Sequence, residues 1–202
     1  MPKQISETEF LEKSKGVSAE LLAHSHNENT TFSKNTKLVI VGTLTPPDTK
    51  YFYCSFYNRI YGYIDESLKK LTRTGNETLK ELKKGLQEVH NKHVDIKLCN
   101  QVEIDQKVNS IKEILDKNGI AFLDVMDKAI RKEKSSYDKD IEYFTLAKND
   151  FKKINSSTVK VIANSKLAEK CAIEMGIKNL KFLSQRFDKK SDWVKAIIDA
   201  IE

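Results

Sequence analysis

Four short, nearly uninterrupted apolar runs punctuate the chain: KLVIVG at 37–42, GIAFLDV at 119–125, STVKVIA at 157–163 and NLKFL at 179–183. Continuous runs of this length suit strands buried on both faces. Segments of helical period separate them. Leu79, Leu82, Leu86 and Val89 share a face after the Gly75-Asn76 break. Ile104, Val108, Ile111, Ile114 and Leu115 share another, which stops at Asn118-Gly119. Ile141, Phe144, Phe151 and Ile154 predict a further helix, and Leu167, Ala168, Cys171, Ala172 and Met175 the next, ended by Gly176. Val194, Ile197, Ile198 and Ile201 predict the last, with Ser191 as its N-cap. Strands alternating with helices imply crossover connections and a mainly parallel sheet of about four strands, an α/β fold built as a three-layer α/β/α sandwich.

Residues 1–36 read as an N-terminal helical extension and linker: Phe10 to Leu22 is amphipathic, and HSHNENTTFSKN has no period. Residues 37–202 read as one α/β/α domain carrying a charged helical insert at about 66–118. There is no internal repeat and no low-complexity tract.

The 202 residues include 39% hydrophobic positions, enough for a core of ordinary size. No apolar run is long enough to span a bilayer and the first residues lack the apolar stretch of a signal peptide, so a cytoplasmic protein is expected. Cys54, Cys99 and Cys171 are scattered and odd in number, which argues for reduced thiols and against a disulfide framework or zinc site. No cofactor or metal is expected. The net charge of +6 permits attraction to phosphate. It is uneven: residues 69–97 hold eight basic against four acidic side chains, 128–134 four against one, and 179–190 four against one. The last two clusters fall near strand ends, whereas the first reads as the coat of a solvated helical insert.

In an open parallel sheet, ligands bind beyond the carboxyl ends of the strands. The loops to examine are therefore GTLTPP after the first run, Asp124 at the end of the second, Asn164-Ser165 after the third, and SQRF (Ser184 to Phe187) after the fourth. GTLTPP fits no phosphate-binding glycine pattern, and its prolines remove N–H groups such a cradle would need. The segment from Tyr51 to Tyr63 has seven aromatic residues among thirteen, including five of the seven tyrosines. Rings beside a polar loop offer a stacking surface for a flat ligand such as a nucleobase; composition alone favours a satellite hydrophobic cluster. Asn58 stands inside this segment, and its carboxamide can read a base edge or serve a turn. The pairs His24/His26 and His90/His93 lack a third ligand and read as solvated, outside the four strand-end loops. Asp124 and Asp138 read as strand-end or helix-capping carboxylates, and Asn149-Asp150 as an anchor near a helix.

The order LVIVGTLTPP, YFYCSFYNRIYG, GIAFLDVMDKAIRKEKSSYDKDIE, AKNDFKKI and VKVIANSKLAEK resembles the uracil-DNA glycosylase superfamily, closest to its hypoxanthine-DNA glycosylase-like branch. The resemblance runs through residues 37–187 in order, apart from most of the 66–118 insert, and implies the same α/β/α fold. It also implies hydrolysis of an N-glycosidic bond after a deaminated base, uracil or hypoxanthine, has been flipped out of DNA, as in base-excision repair.

On that resemblance Asn58 takes the catalytic step or base contact. A ring among Tyr53, Phe56 and Tyr57 stacks on the base. Gly42, Thr43, Thr45 and Pro46 form a wall and orient water, and Asn164 reads the base edge. Arg59, Ser184, Gln185, Arg186, Phe187 and Lys189 are the expected DNA contacts, and the protein is expected to act as a monomer. The chain departs from the pattern in carrying Thr45 before Pro46, where relatives often place Asp or Asn, and in lacking a Pro in SQRF. The alternative is a catalytically inactive nucleic-acid or nucleobase-binding protein on the same scaffold.

Overall fold

The computed structural model describes residues 2–45, 51–52, 58–73, 78–92, 101–133, 138–155 and 159–202, leaving aside the side chains of 89–92 and 155. The described elements begin with β1 (Lys3–Gln4), α1 (Glu7–Lys13), β2 (Leu22–His24), β3 (Leu38–Gly42), α2 (Ile60–Lys70), α3 (Leu79–Lys92) and α4 (Gln101–Lys117). They continue with β4 (Ile120–Asp124), β5 (Met126–Arg131), β6 (Ile141–Leu146), α5 (Lys148–Asn155), β7 (Lys160–Ala163), α6 (Lys166–Glu174), β8 (Leu180–Phe182) and α7 (Lys190–Ile201).

The four apolar runs form one all-parallel sheet in the order β4-β3-β7-β8. Every residue of β3 and β4 is buried because both faces of these strands are covered. Side-chain alternation divides them between two cores. Leu38, Ile40, Ile120 and Phe122 face the core shared with α2, α3, α4 and α7. Val39, Val41, Ala121 and Leu123 face the core shared with α5, α6 and a second sheet. Each fully buried aliphatic side chain contributes about 1.5–3 kcal/mol, so β3 and β4 are both costly to disturb. Asn118-Gly119 ends α4 as predicted: Gly119 has φ +67°, and a Cβ there would stand 2.8 Å from the Asn35 carbonyl oxygen.

The second sheet, β1-β6-β5-β2, departs from the sequence reading. β5 pairs antiparallel with β6 and β2, and β1 lies parallel to β6. This sheet shares one face of the parallel sheet with α5 and α6, where helices alone were expected. The helix expected through Ile141 and Phe144 is a strand. Its sequence IEYFTL is β-branched and aromatic, and only after Ala147 does helix α5 bury Phe151 and Ile154.

The segment 1–36, expected as extension and linker, supplies β1, α1 and β2 to this sheet. Ser6 caps α1 in a reciprocal box with Glu9, and Phe10 is buried with Ile5 and Ile130. Helix α7 starts two residues earlier than a Ser191 cap requires: Lys189 is the N-cap, and its N–H donates to Asp192 Oδ2 at 3.2 Å. The 66–118 region is part of the core, since α3 buries Leu79, Leu82 and Leu86, and α4 buries Ile104, Ile111 and Leu115, all in one cluster. Among the described residues, no helix is long and apolar enough to cross a membrane.

Candidate functional site

The chain leaves β3 toward α2 on one face of the parallel sheet and leaves β7 toward α6 on the other. Connections that diverge in this way open a crevice at the carboxyl edge of neighbouring strands. Gly42 and Thr43 stand at the end of β3 and Asn164-Ser165 at the end of β7, with the Asn164 N–H bonded to the Val41 carbonyl at 2.9 Å.

Two buried threonines of GTLTPP each donate to a carboxylate. Thr43 Oγ1 donates to Asp138 Oδ1 at 2.5 Å, and Thr45 Oγ1 to Asp124 Oδ1 at 3.1 Å. Asp138 sits in a 3₁₀ turn at Asp138–Asp140, so it caps no helix of its own. Burial pushes its carboxyl above the ordinary range, opposed by hydrogen bonds from Thr43 and Ser165 and by the charge of Arg131. Ser165 is the N-cap of α6, its Oγ accepting the Ala168 N–H at 3.1 Å. Asp138 therefore bridges the two walls of the crevice.

Asp124 is fully buried at the end of β4, the strand-end position read from the sequence. Its Oδ2 accepts the His26 N–H at 3.1 Å. Its backbone exchanges two bonds with the Asn27 carboxamide, 2.7 Å to Oδ1 and 2.9 Å from Nδ2. The same Nδ2 reaches Asp150 Oδ2 at 3.1 Å, the anchoring role read for Asn149-Asp150. These bonds carry His26 to the rim, against the reading that placed every histidine elsewhere: its ring meets Phe52 edge-on, centroids 6.0 Å apart. The sequence holds only a weak cue to this, an Asn within a polar segment that turns out to be buried.

Asn58 lies two residues before α2, whose N-cap is Arg59, and its Oδ1 accepts the Ile60 N–H at 2.9 Å. Its side chain thus closes an Asx-type turn that leads into the helix. The segment nevertheless borders the rim, because the Arg59 N–H donates to Gln185 Oε1 at 3.1 Å. The SQRF loop is held by Ser184, whose Oγ accepts the N–H groups of Arg186 and Phe187 at 3.2 and 3.3 Å, and whose N–H donates to Asp188 Oδ2 at 2.6 Å. Phe187 is 80% exposed, with the Arg186 guanidinium 5.3 Å from its ring centroid. Lys189 follows on the surface as the cap of α7.

Four of the seven rings in 51–63, those of Tyr51, Phe52, Tyr61 and Tyr63, are buried in the core. Tyr61 packs on Phe122 and its hydroxyl donates to the Phe52 carbonyl at 2.7 Å. These four rings pack in a main core of the protein, not in the satellite cluster that composition favours. Pro46, Tyr53, Phe56 and Tyr57 lie outside the described residues, as do Cys54 and Cys99. Cys171 is buried and its thiol is pushed up to about 12, chiefly by desolvation, which makes it a packing residue. Among the described residues, no three or more His, Cys, Asp or Glu side chains group as metal ligands.

The chain matches no protein-family model and no curated protein. Among solved structures it is similar to the solution NMR structure of a "putative Uracil DNA glycosylase" from Methanosarcina acetivorans, with 18% identity over 86% of this chain and 96% of that chain, and a TM-score of 0.48.

Proposed function

We propose that this protein is a DNA glycosylase-like hydrolase, of the hypoxanthine-DNA glycosylase-like type, that releases a flipped deaminated base and works as a cytoplasmic monomer in base-excision repair. The observation that carries the reading is the Arg59–Gln185 bond, which joins the Asn58 segment to the SQRF loop. Thr43 and Asn164 follow the neighbouring strands β3 and β7, and we read the motif order of the sequence as converging at that end of the parallel sheet, within the proposed three-layer arrangement.

Base release breaks the C1′–N bond and leaves positive charge on the sugar and negative charge on the base; a water oxygen then bonds to C1′ and the proton it loses neutralises the released base. Asn58 donates its amide to the leaving base, which stabilises that negative charge, and Asn164 reads the base edge. GTLTPP lacks a carboxylate of its own, yet Thr43 has one at second hand: with its hydrogen committed to Asp138, the hydroxyl turns its lone pairs outward to hold a water. Thr45 is tied to Asp124 and shapes the wall. One of Tyr53, Phe56 and Tyr57 stacks on the base, and Pro46 closes the wall behind it.

The second reading, a binding protein without activity, is favoured by the use of the Asn58 side chain in the turn that leads into α2. Incubation with duplexes bearing uracil or hypoxanthine, followed by alkaline cleavage at abasic sites, decides between the two. Strand scission supports the enzyme; tight binding with no scission supports the binding protein.

A further inference from the structure

A cleft of about 430 Å³ lies beside Asn58, between α2 and α3, and is lined by Arg59, Lys69, Lys80, Lys83 and Lys190. Its two carboxylates are already engaged. Asp65 accepts the N–H groups of Leu79 and Lys80 at 2.9 and 2.7 Å, fastening the start of α3 to α2. Glu66 is paired with Lys190. The cleft therefore holds three more cations than carboxylates, and it keeps them close because Leu79, Leu82 and Leu86 bind α3 into the core.

Lys83 is only 9% exposed although it is a lysine on an amphipathic helix, and its ammonium donates to the backbone carbonyl of Asn58. The basic face of the charged region is thus turned toward the proposed site. The expectation of a coat on a solvated insert does not account for that orientation. Like charges held in a concave, partly desolvated surface raise the local potential and favour a polyanion over a single exposed ion.

We propose that this cleft is a subsite for the phosphodiester backbone of a nucleic-acid strand whose target base lies at Asn58. The inference rests on the DNA-directed reading given above. Lys69 and Lys80 supply the exposed phosphate contacts, while Lys83 sets the position of the Asn58 segment.

The test is fluorescence anisotropy of a labelled uracil-containing oligonucleotide, titrated at several salt concentrations with wild type, Lys69→Ala/Lys80→Ala and the control pair Lys34→Ala/Lys117→Ala, which removes two exposed lysines flanking the opposite edge of the parallel sheet. The cleft pair should weaken binding about tenfold or more at low salt and reduce the slope of log K against log salt by about 1–2, the value for two lost phosphate contacts. The control pair should leave the slope unchanged. Equal losses in both pairs, or an unchanged slope in the cleft pair, would overturn the subsite. Base release by wild type is scored separately. Cleft-dependent binding without base release keeps the subsite and sinks the enzyme, while base release indifferent to the cleft pair does the reverse. A wild type that binds anionic vesicles and no oligonucleotide sinks both.

Discussion

The carboxyl of Asp138 accepts the Thr43 hydroxyl hydrogen at 2.5 Å, joining the end of β3 to a turn some ninety-five residues later in the chain. Burial holds this carboxyl above its usual 3.8. The folded protein thus keeps a proton on Asp138 to higher pH than the unfolded chain does. The corresponding stability is full below about pH 4 and is lost as pH rises through the raised folded value. Asp138→Asn fixes the group in a neutral form. Its stability relative to wild type should therefore climb with pH across that window and then level off, as read by urea denaturation between pH 4 and 7. A difference independent of pH would mean that the carboxyl titrates at its ordinary value.

Under the proposed mechanism the same substitution bears on the chemistry, with Asp138 acting through Thr43 as a positioning residue. Asp138→Asn should slow base release by about 10²-fold, the low end for a group that assists proton transfer. The change should appear in kcat and in its pH profile, with KM little altered, because the carboxyl is placed to bias a water rather than to hold the base. A loss confined to KM would assign Asp138 to binding.

Asn58 has one duty in the structure and a second in the proposed mechanism, and mutation can separate them. Its Oδ1 accepts the Ile60 N–H in the turn that leads into α2, and loss of such a hydrogen bond costs about 1 kcal/mol. Asn58→Ala should lose that stability and, under the proposal, nearly all base release. Asn58→Ser keeps an acceptor oxygen but no amide donor, so it should melt like wild type and still release no base. If the serine variant retains activity, the amide is not the group that stabilises the leaving base.

How far the sequence declares this arrangement depends on burial. β3 and β4 are covered on both faces, so they stand in the chain as uninterrupted apolar runs that no competing pattern obscures. β5 and β6 mix buried and half-exposed positions. In β6 the apolar spacing from Ile141 to Phe144, followed by that from Phe151 to Ile154, imitates a helix across what is a strand, a break at Ala147 and a helix. β1 and β2 hold two and three residues, too few for any period to register. Strand-end positions are legible where residues leave a strand directly, as at Thr43, Asp124 and Asn164. The meeting of distant segments is hidden, as with Asp138 on Thr43 and His26 beside Phe52.

Asn27 illustrates that second class and can be tested by itself. It is 5% exposed and its carboxamide serves the Asp124 N–H, the Asp124 carbonyl and the Asp150 carboxylate at once. Asn27→Ala strands buried groups at the end of β4, and each unsatisfied group costs about 1–3 kcal/mol, so a total of about 3 kcal/mol is expected in equilibrium denaturation. A loss under 1 kcal/mol would mean that water replaces the amide and that the N-terminal segment holds the rim only weakly.

The SQRF loop reports on itself through the chain's single tryptophan. Trp193 is fully buried and stacked on Tyr63, centroids 5.6 Å apart, while its indole N–H donates to the Ser184 carbonyl at 3.3 Å. Movement of Ser184 therefore changes the hydrogen bond of the only indole. If Phe187 enters the base stack when DNA binds, the loop must shift, and Trp193 emission should change in wavelength or intensity as a uracil-containing duplex is added. Phe187→Ala removes an exposed ring, which should leave thermal stability within about 0.5 kcal/mol of wild type. It should also abolish the emission change and slow base release from duplex more than from a single strand, where there is no stack to open. Equal slowing on both substrates would place Phe187 in general binding rather than in flipping the base.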